Sequence, residues 1–295
     1  MVHYNDVYLT AATSDAESNS NCTNAAKFLR EPDYDSAETL LERGDFQVRC
    51  AITSGGRSKS SALCNRRYAW RGYKQSAYDE TMTDPNQVTI QACRGDYVFG
   101  TLTLRFDSDA GLAADALYGT EIGAYRNRGA QVCELTRLAI DPEQGSKEVL
   151  GAMFHVAYIY GGLLWGMTDV FVEVNPRHAS YYRRMLSFHP AGECRLCDRV
   201  EAPAILLHLR VAYVAEQIAR HGGGRTQDRH SLYRYFVSRE EEETLRQRIL
   251  GCWEPKIRAQ SQRCVAAMDM QRGTAFEELA HPAFLPELTP SLAAV

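Results

Sequence analysis

The sequence predicts a mixed α/β fold of the α+β type, and three observations carry that expectation. Short apolar, β-branched runs alternate with helix-patterned segments in the order β-α-β-β-(α)-β-α-β-α-β. Two of the runs, residues 87–93 and 97–106, are separated only by Arg94-Gly95-Asp96, a spacing that predicts a hairpin and hence antiparallel pairing. A hydrophobic fraction of 45% over 295 residues supplies a substantial core. Adjacent strands exclude the strict alternation of a doubly wound nucleotide fold.

Taken in order, residues 1–35 are rich in Ser, Asn, Asp and Thr and read as a mobile N-terminal tail. Residues 35–43 predict a short helix with Ser36 as its cap. Residues 46–53 predict a strand that Gly55-Gly56 breaks. Over residues 59–74, Ala62, Leu63, Arg66, Ala69, Trp70 and Tyr73 fall on neighbouring helical rows. Residues 78–86 are acidic and turn-like, ending in Asp84-Pro85. After the hairpin, residues 107–128 form a long connection with a helix near residues 112–118. A strand around Glu134, a loop over residues 142–147 and a helix from Glu148 follow. Residues 169–174 and 204–211 predict strands, and residues 178–186 a helix between them. The core domain thus spans residues 36–211. A helical extension over residues 212–250 includes the charge-patterned segment 240–248. Residues 251–295 lose periodicity and gather prolines, a C-terminal tail whose order the sequence leaves open. No internal repeat is visible.

A net charge of −4 lacks the basic footprint of a nucleic-acid-binding domain, so no nucleic-acid partner is expected. Local basic clusters stand out against it: Arg66, Arg67, Arg71 and Lys74, and Arg177, Arg183 and Arg184. They read either as solvated helix faces or as docking points for an acidic partner or an anionic substrate group. Nine scattered cysteines do not form a disulfide framework, and the first residues lack a secretory apolar core, so the expected compartment is the cytoplasm. Residues 149–168 carry no formal charge but include His155 and four glycines. A buried helix running into a turn at Gly161-Gly162 fits them better than a membrane span, which needs roughly 20 apolar residues.

The most informative stretch is Val132-Cys133-Glu134-Leu135-Thr136-Arg137-Leu138-Ala139-Ile140-Asp141. It sets a carboxylate and a guanidinium inside an apolar β-prone run, where ionised groups are rare unless paired or working. The elements that follow suggest a substrate channel at strand ends, and acyl transfer is the leading expectation.

Four segments carry a resemblance to a known family: Cys133 to Ile140, Val174-Asn175-Pro176 through Leu186, Ala202-Pro203-Ala204-Ile205-Leu206-Leu207, and Ser231-Leu232-Tyr233-Arg234-Tyr235-Phe236. In this order they resemble the GNAT N-acyltransferase superfamily, in particular the bacterial long-chain N-acyl amino acid synthases of the FeeM-like group, and more distantly the acyl-homoserine-lactone synthases. The likeness covers roughly residues 45–250. It implies a mainly antiparallel central sheet with a splayed strand pair, flanked by helices and followed by a C-terminal helical extension. It also implies a donor whose phosphopantetheine arm, carried by acyl carrier protein, enters the splay as a substrate, with no tightly bound cofactor. An amino acid accepts the long fatty acyl chain.

Amide formation from a thioester needs a neutral amine, and a free amino acid's amine is mostly protonated near neutrality. A carboxylate in an apolar cleft takes that proton directly or through water, which makes Glu134 the candidate base; the alternative is a structural ion pair with Arg137 or a surface position. Arg137 suits a carboxylate grip. Residues 134 and 137 nevertheless point to opposite faces of a regular strand, so a shared pocket requires a bulge. The resemblance suggests Tyr182 as proton donor to the departing thiolate, with packing as the alternative. Asn175 suits either the pantetheine amides or a strand end. Leu138 and Ile140 belong to the strand that would flank pantetheine, and Gly145 and Ser146 to the loop opening the next helix. GNAT enzymes that use coenzyme A usually carry Q/R-x-x-G-x-G/A in that loop; here a single glycine favours a carrier-bound donor. Arg66 and Trp70 resemble an Arg–aromatic pair that shapes the acceptor and acyl pocket of the lactone synthases. Asp79 and Asp84 read as solvated loop acids or as contacts to an acceptor amine. Phe99, Leu102, Leu104, Phe154, Tyr158 and Phe171 are candidates for an acyl tunnel or for plain core.

Two rival readings remain at this point: a GNAT enzyme acting on another amine such as a polyamine, and a catalytically silent GNAT-shaped interaction domain. Cys194-Arg195-Leu196-Cys197 with His189 or His178 is a weak zinc pattern that lacks a second pair, so no metal is expected.

Overall fold

The computed structural model describes residues 39–73, 84–224 and 231–251. The strands are β1 (Thr39–Arg43), β2 (Phe46–Cys50), β3 (Gln87–Arg94), β4 (Tyr97–Phe106), β5 (Val132–Ile140), β6 (Asp169–Val174), β7 (His189–Pro190), β8 (Arg195–Cys197) and β9 (Ala202–Arg210). The helices are α1 (Ser54–Trp70), α2 (Asp115–Arg126), α3 (Lys147–Tyr158), α4 (Pro176–Leu186), α5 (Val211–His221) and α6 (residues 239–251). Among the described residues the strands form one mixed sheet in the order β1-β2-β3-β4-β5-β6-β9-β7, with β8 pairing β9 at its far end. Every pairing is antiparallel except that of β5 with β6.

Local chemistry explains the long hairpins. Gly44 and Gly95 take positive φ values of 55° and 54° in the turns before β2 and β4, where a side chain would be strained. Alternating buried positions along β2 and β3 then set the register, as a one-residue slip would expose Val48 and Ile90.

The sheet's two faces are covered differently. On one face Leu104, Leu135, Val172 and Leu207 pack with Met153 and Phe154 of α3, Met185 of α4, Ile218 of α5 and Ile249 of α6. On the other, Leu63 and Cys64 of α1 meet Cys93, Val98 and Ala139, while Tyr118 and Ile122 of α2 meet Val132, Phe171 and Leu206. The segment beyond residue 211 therefore shares the main core. His155 of α3 ties it down. Its Nδ1 accepts the Val237 N–H at 2.9 Å, which leaves the proton on Nε2 to donate to Glu242 Oε2 at 2.9 Å. Gly151 lets Tyr235 approach: a Cβ there would lie 2.6 Å from that of Tyr235.

Several expected elements differ. The helix expected over residues 35–43 is, where described, strand β1: Leu41, Glu42 and Arg43 pair with Val48, Gln47 and Phe46 of β2, and Leu40 is buried in the main core. The strand expected over residues 46–53 already ends at Cys50, and Gly55-Gly56, expected to break it, form the first turn of α1, whose Thr53 cap accepts the Gly56 N–H at 3.0 Å. The helix near residues 112–118 starts later, at Asp115, and runs to Arg126. Gly161-Gly162 lie in a π-helical segment, Ile159–Leu164, that continues α3. The short strands β7 and β8 have no counterpart in the sequence reading. Residues 1–35, most of 251–295, and Asp79 lie outside the described residues.

Candidate active site

The sheet parts where its one parallel pair ends. β5 and β6 are matched at Val132↔Asp169, Cys133↔Val170 and Glu134↔Phe171 and no further, although β5 continues to Ile140 and β6 to Val174. The gap opens into a cleft of about 430 Å³. Residues 135–140 of β5 form one wall and residues 172–175 the other, with α1, α4 and the loop before β9 around the mouth.

A β-bulge helps open the gap. β4 residues Thr101 and Thr103 pair with Ala139 and Thr136, so Leu102 faces both Arg137 and Leu138. Arg137 sits at φ 54°, in the left-handed region. The bulge reverses the alternation of side chains beyond it. Arg137 lines the cleft, whereas Glu134 is buried beside it and reaches it only through neighbours that line it.

Glu134 is the last residue paired across the gap. It is 1% exposed, and its Oε2 accepts the Ala114 N–H at 3.2 Å. Burial raises its carboxyl pKa to about 7 against that hydrogen bond, and the nearby Glu173 carboxylate adds to the rise. Its neighbours Ala113, Leu135, Glu173 and Arg199 line the cleft. The turn that contacts it is clamped from below: Arg126 reaches Asp107 and Asp115 at 2.7–2.8 Å, and Asp115 Oδ2 accepts the Leu112 N–H at 2.7 Å.

Glu173 and Arg199 form an ion pair at 3.0 Å, and Arg199 also donates to the Ala113 carbonyl at 3.4 Å. Tyr182 lines the cleft from α4. Burial among Phe154, Tyr181 and Phe188 pushes its hydroxyl pKa far above the ordinary phenol range, so it keeps its proton. Arg67, Arg71, Arg105, Arg137 and Arg199 line the cleft against a single carboxylate, Glu173, among the described residues. At the mouth Arg71 hydrogen-bonds His178, the residue next to Arg177.

Leu138, Ile140 and Asn175 line the cleft. Asn175 also caps α4 by accepting the Arg177 N–H at 3.2 Å and donates to the Pro203 carbonyl at 3.1 Å. Gly145 packs on Ile140, where a Cβ would meet Cγ2 at 2.8 Å, and Ser146 caps α3 through the Val149 N–H at 3.2 Å. Arg66 and Trp70 stand apart from the cleft. The α1 stripe that faces it runs through Ser61, Cys64, Asn65, Tyr68 and Arg71. Arg66 instead pairs with Asp141 at 3.8 Å, and Trp70 is 74% exposed under Arg67. Asp84 pairs with Arg105 at 3.6 Å.

A second, wholly apolar cavity of about 50 Å³ lies on the α3 side; Leu135 lines both it and the cleft. Leu104, Phe154 and Tyr158 line this cavity and Leu102 the large cleft, whereas Phe99 packs under Arg94 and Phe171 beneath α2. Cys194 is exposed and Cys197 buried. Among the described residues no group of three or more His, Cys, Asp or Glu could hold a metal, and no helix is long and apolar enough to cross a membrane.

Tyr68, Tyr181, Glu173 and Arg199 are cleft residues that the sequence reading missed. Glu173 carried the same signal as Glu134, a carboxylate inside an apolar strand. Arg199 sits in a loop and carried none.

The parted sheet agrees with the splayed strand pair that the resemblance to GNAT-type N-acyltransferases implies, and the family match identifies the chain as an acyltransferase. Sequence comparison narrows the class: the family described as N-acyl amino acid synthase FeeM matches residues 59–210, more than half of the chain, and the chain belongs to that family. Among solved structures, FeeM, an N-acyl amino acid synthase from uncultured soil microbes, aligns at 24% identity and TM-score 0.52, over 57% of this chain and 90% of that one. An acyl-CoA N-acyltransferase from Pseudomonas aeruginosa aligns at 16% identity and TM-score 0.39, over 56% and 97%. The AHL synthase LasI aligns at 14% identity and TM-score 0.41, over 56% and 90%. No curated protein matches the chain.

Proposed function

We propose that the enzyme moves a long-chain fatty acyl group from the phosphopantetheine thioester of an acyl carrier protein to the α-amine of an amino acid. The observation that carries this reading is the cleft between β5 and β6, which opens where their pairing ends, next to the buried Glu134. Membership of a family described as N-acyl amino acid synthase supports the product class, an N-acyl amino acid.

The acceptor arrives as an ammonium carboxylate. Glu134 takes one proton from the ammonium through an intervening water, and a pKa of about 7 matches that task near neutrality. The free amine attacks the thioester carbonyl carbon. Backbone N–H groups of β5 beyond the parting, around the Arg137–Leu138 bulge, meet the oxyanion. As the tetrahedral intermediate collapses, the C–S bond breaks, the thiolate takes a proton from Tyr182, and the nitrogen's second proton restores the tyrosine. The products are the amide, the free carrier thiol and one proton, released to solvent from Glu134.

Three features support a carrier-bound donor. The loop before α3 has one glycine, and it is occupied in packing on Ile140. The Ser146 hydroxyl is engaged as the α3 cap. Arg67, Arg71 and Arg177 give the mouth a basic rim, suited to an acidic carrier and the arm's single phosphate. The apolar cavity behind Leu135, about 50 Å³, has room for only a short stretch of the fatty chain.

The test is direct. Purified enzyme is incubated with acyl-carrier thioesters and mixed amino acids, and the extract is read by mass spectrometry. N-acyl amino acids are expected; thioester consumption with polyamines alone would contradict the acceptor assignment, and turnover with acyl-coenzyme A alone would contradict the donor.

A further inference from the structure

The Glu173–Arg199 pair is the one ion pair among the described residues whose two members both line the cleft, and neither has a role in the steps above. Glu173 stands two residues beyond Phe171, the residue paired with Glu134, so it projects on the Glu134 side of the sheet, just past the parting. Its side chain is 7% exposed. Arg199 closes a chain of contacts back to the base: its guanidinium binds the Ala113 carbonyl, and the next N–H, that of Ala114, binds Glu134. The Arg199 side chain is 39% exposed, and its guanidinium meets a single oxygen of Glu173, at 3.0 Å.

We infer that Glu173 and Arg199 together form the acceptor subsite, Glu173 receiving the ammonium and Arg199 the carboxylate of an α-amino acid zwitterion. The inference rests on the acceptor class proposed above and assigns the residues that read it.

An α-amino acid carries opposite charges on adjacent atoms, and a side-by-side carboxylate and guanidinium present the opposite pattern. Binding replaces one buried-edge ion pair with two, so neither protein charge is left uncompensated. Arg199 offers the planar two-pronged donor set that carboxylates prefer. The geometry also places the ammonium next to Glu134. A polyamine has no carboxylate for Arg199, and an amino acid amide has none either.

The discriminating experiment compares the best amino acid from a panel with its own amide, using wild type, Arg199→Gln and Arg199→Lys. Wild type is expected to prefer the acid. Arg199→Gln should raise KM for the acid about 10- to 100-fold more than KM for the amide, the scale of lost charged hydrogen bonds. The acid/amide ratio then collapses toward one, and Arg199→Lys restores part of it. Because the amide reports folding and chemistry, a misfolded variant loses both substrates; the ratio in Arg199→Lys then decides, and a reduced ratio supports the subsite. An unchanged acid preference in Arg199→Gln, or in Arg199→Lys where the first variant is inactive, overturns the assignment and leaves the amino acid synthase reading standing. Wild type that acylates no amino acid overturns that reading instead.

Discussion

Glu134 and Ala139 lie an odd number of positions apart on one strand yet face the same side of the sheet. Glu134 meets the turn before α2, and Ala139 packs on Leu63 and Cys64 of α1. A regular strand forbids this. The extra residue at Arg137–Leu138, with Arg137 at φ 54°, makes it possible and also turns β5 away from β6.

The left-handed backbone at Arg137 gives a substitution test. Arg137→Gly should raise stability by about 1 kcal/mol, because glycine adopts that conformation without strain, whereas Arg137→Val should lower it by about 1–2 kcal/mol. Thermal unfolding of the two variants measures the difference. Equal effects would mean that the bulge is not held at that residue.

Glu134 gives a pH-dependent stability prediction. Its folded-state pKa of about 7 exceeds the ordinary 4.5. Between those values the folded protein holds a proton that the unfolded chain has released, so stability falls as pH rises through this window. Replacing Glu134 with glutamine removes the cost of ionising a buried carboxylate. Glu134→Gln should therefore be more stable than wild type at pH 8, by about 3 kcal/mol as an order of magnitude, and close to wild type at pH 4. Denaturant unfolding at the two pH values checks this.

Arg126 acts at a distance. It touches nothing in the cleft but clamps Asp107 and Asp115 beneath the turn that contacts Glu134. Arg126→Ala should cost about 2 kcal/mol of stability. Because the Ala114 hydrogen bond lowers the Glu134 pKa, loosening that turn should also move the acidic limb of the kcat/KM profile to higher pH. A variant with lower stability and an unmoved limb would limit Arg126 to holding the fold.

The apolar cavity predicts a change of product. A Cβ at Gly161 would meet Leu104 Cδ2 at 3.4 Å and Cys133 Sγ at 3.8 Å, ordinary contacts inside the cavity wall. Gly161→Ala should fold and shift preference toward shorter acyl chains by about tenfold. At Gly162 the same atom would sit 2.8 Å from Val211 and 3.1 Å from Tyr158, so Gly162→Ala should instead destabilise, by about 1–3 kcal/mol. Product chain lengths by mass spectrometry and melting curves separate the two outcomes.

Much of this was legible in the chain. β4 and β6 fall where alternation and turn residues put them, and Glu134 announced itself as a charge in an apolar strand. The bulge was recognisable only as a requirement: no glycine marks it, and an arginine in the left-handed region gives no local signal. β1 was misread because Leu40, Leu41, Glu42 and Arg43 are good helix formers whose state is decided by pairing with β2. On α1, the resemblance to an Arg–aromatic pair drew attention to Arg66 and Trp70, while the row through Cys64 and Tyr68, on nearly the opposite side of the helix, faces the cleft. Arg199 reaches the site from a loop, and only the tertiary fold brings it there.

The most direct test follows kcat/KM against pH for wild type and Glu134→Gln, with an acyl-carrier thioester as donor and an amino acid as acceptor. Wild type should lose about fivefold in rate between pH 7 and pH 6 as the buried carboxylate takes up its proton, and the variant should run about 10²- to 10⁴-fold slower without that limb. A glutamine variant with the same limb and near wild-type turnover would contradict the assignment of Glu134 as the base.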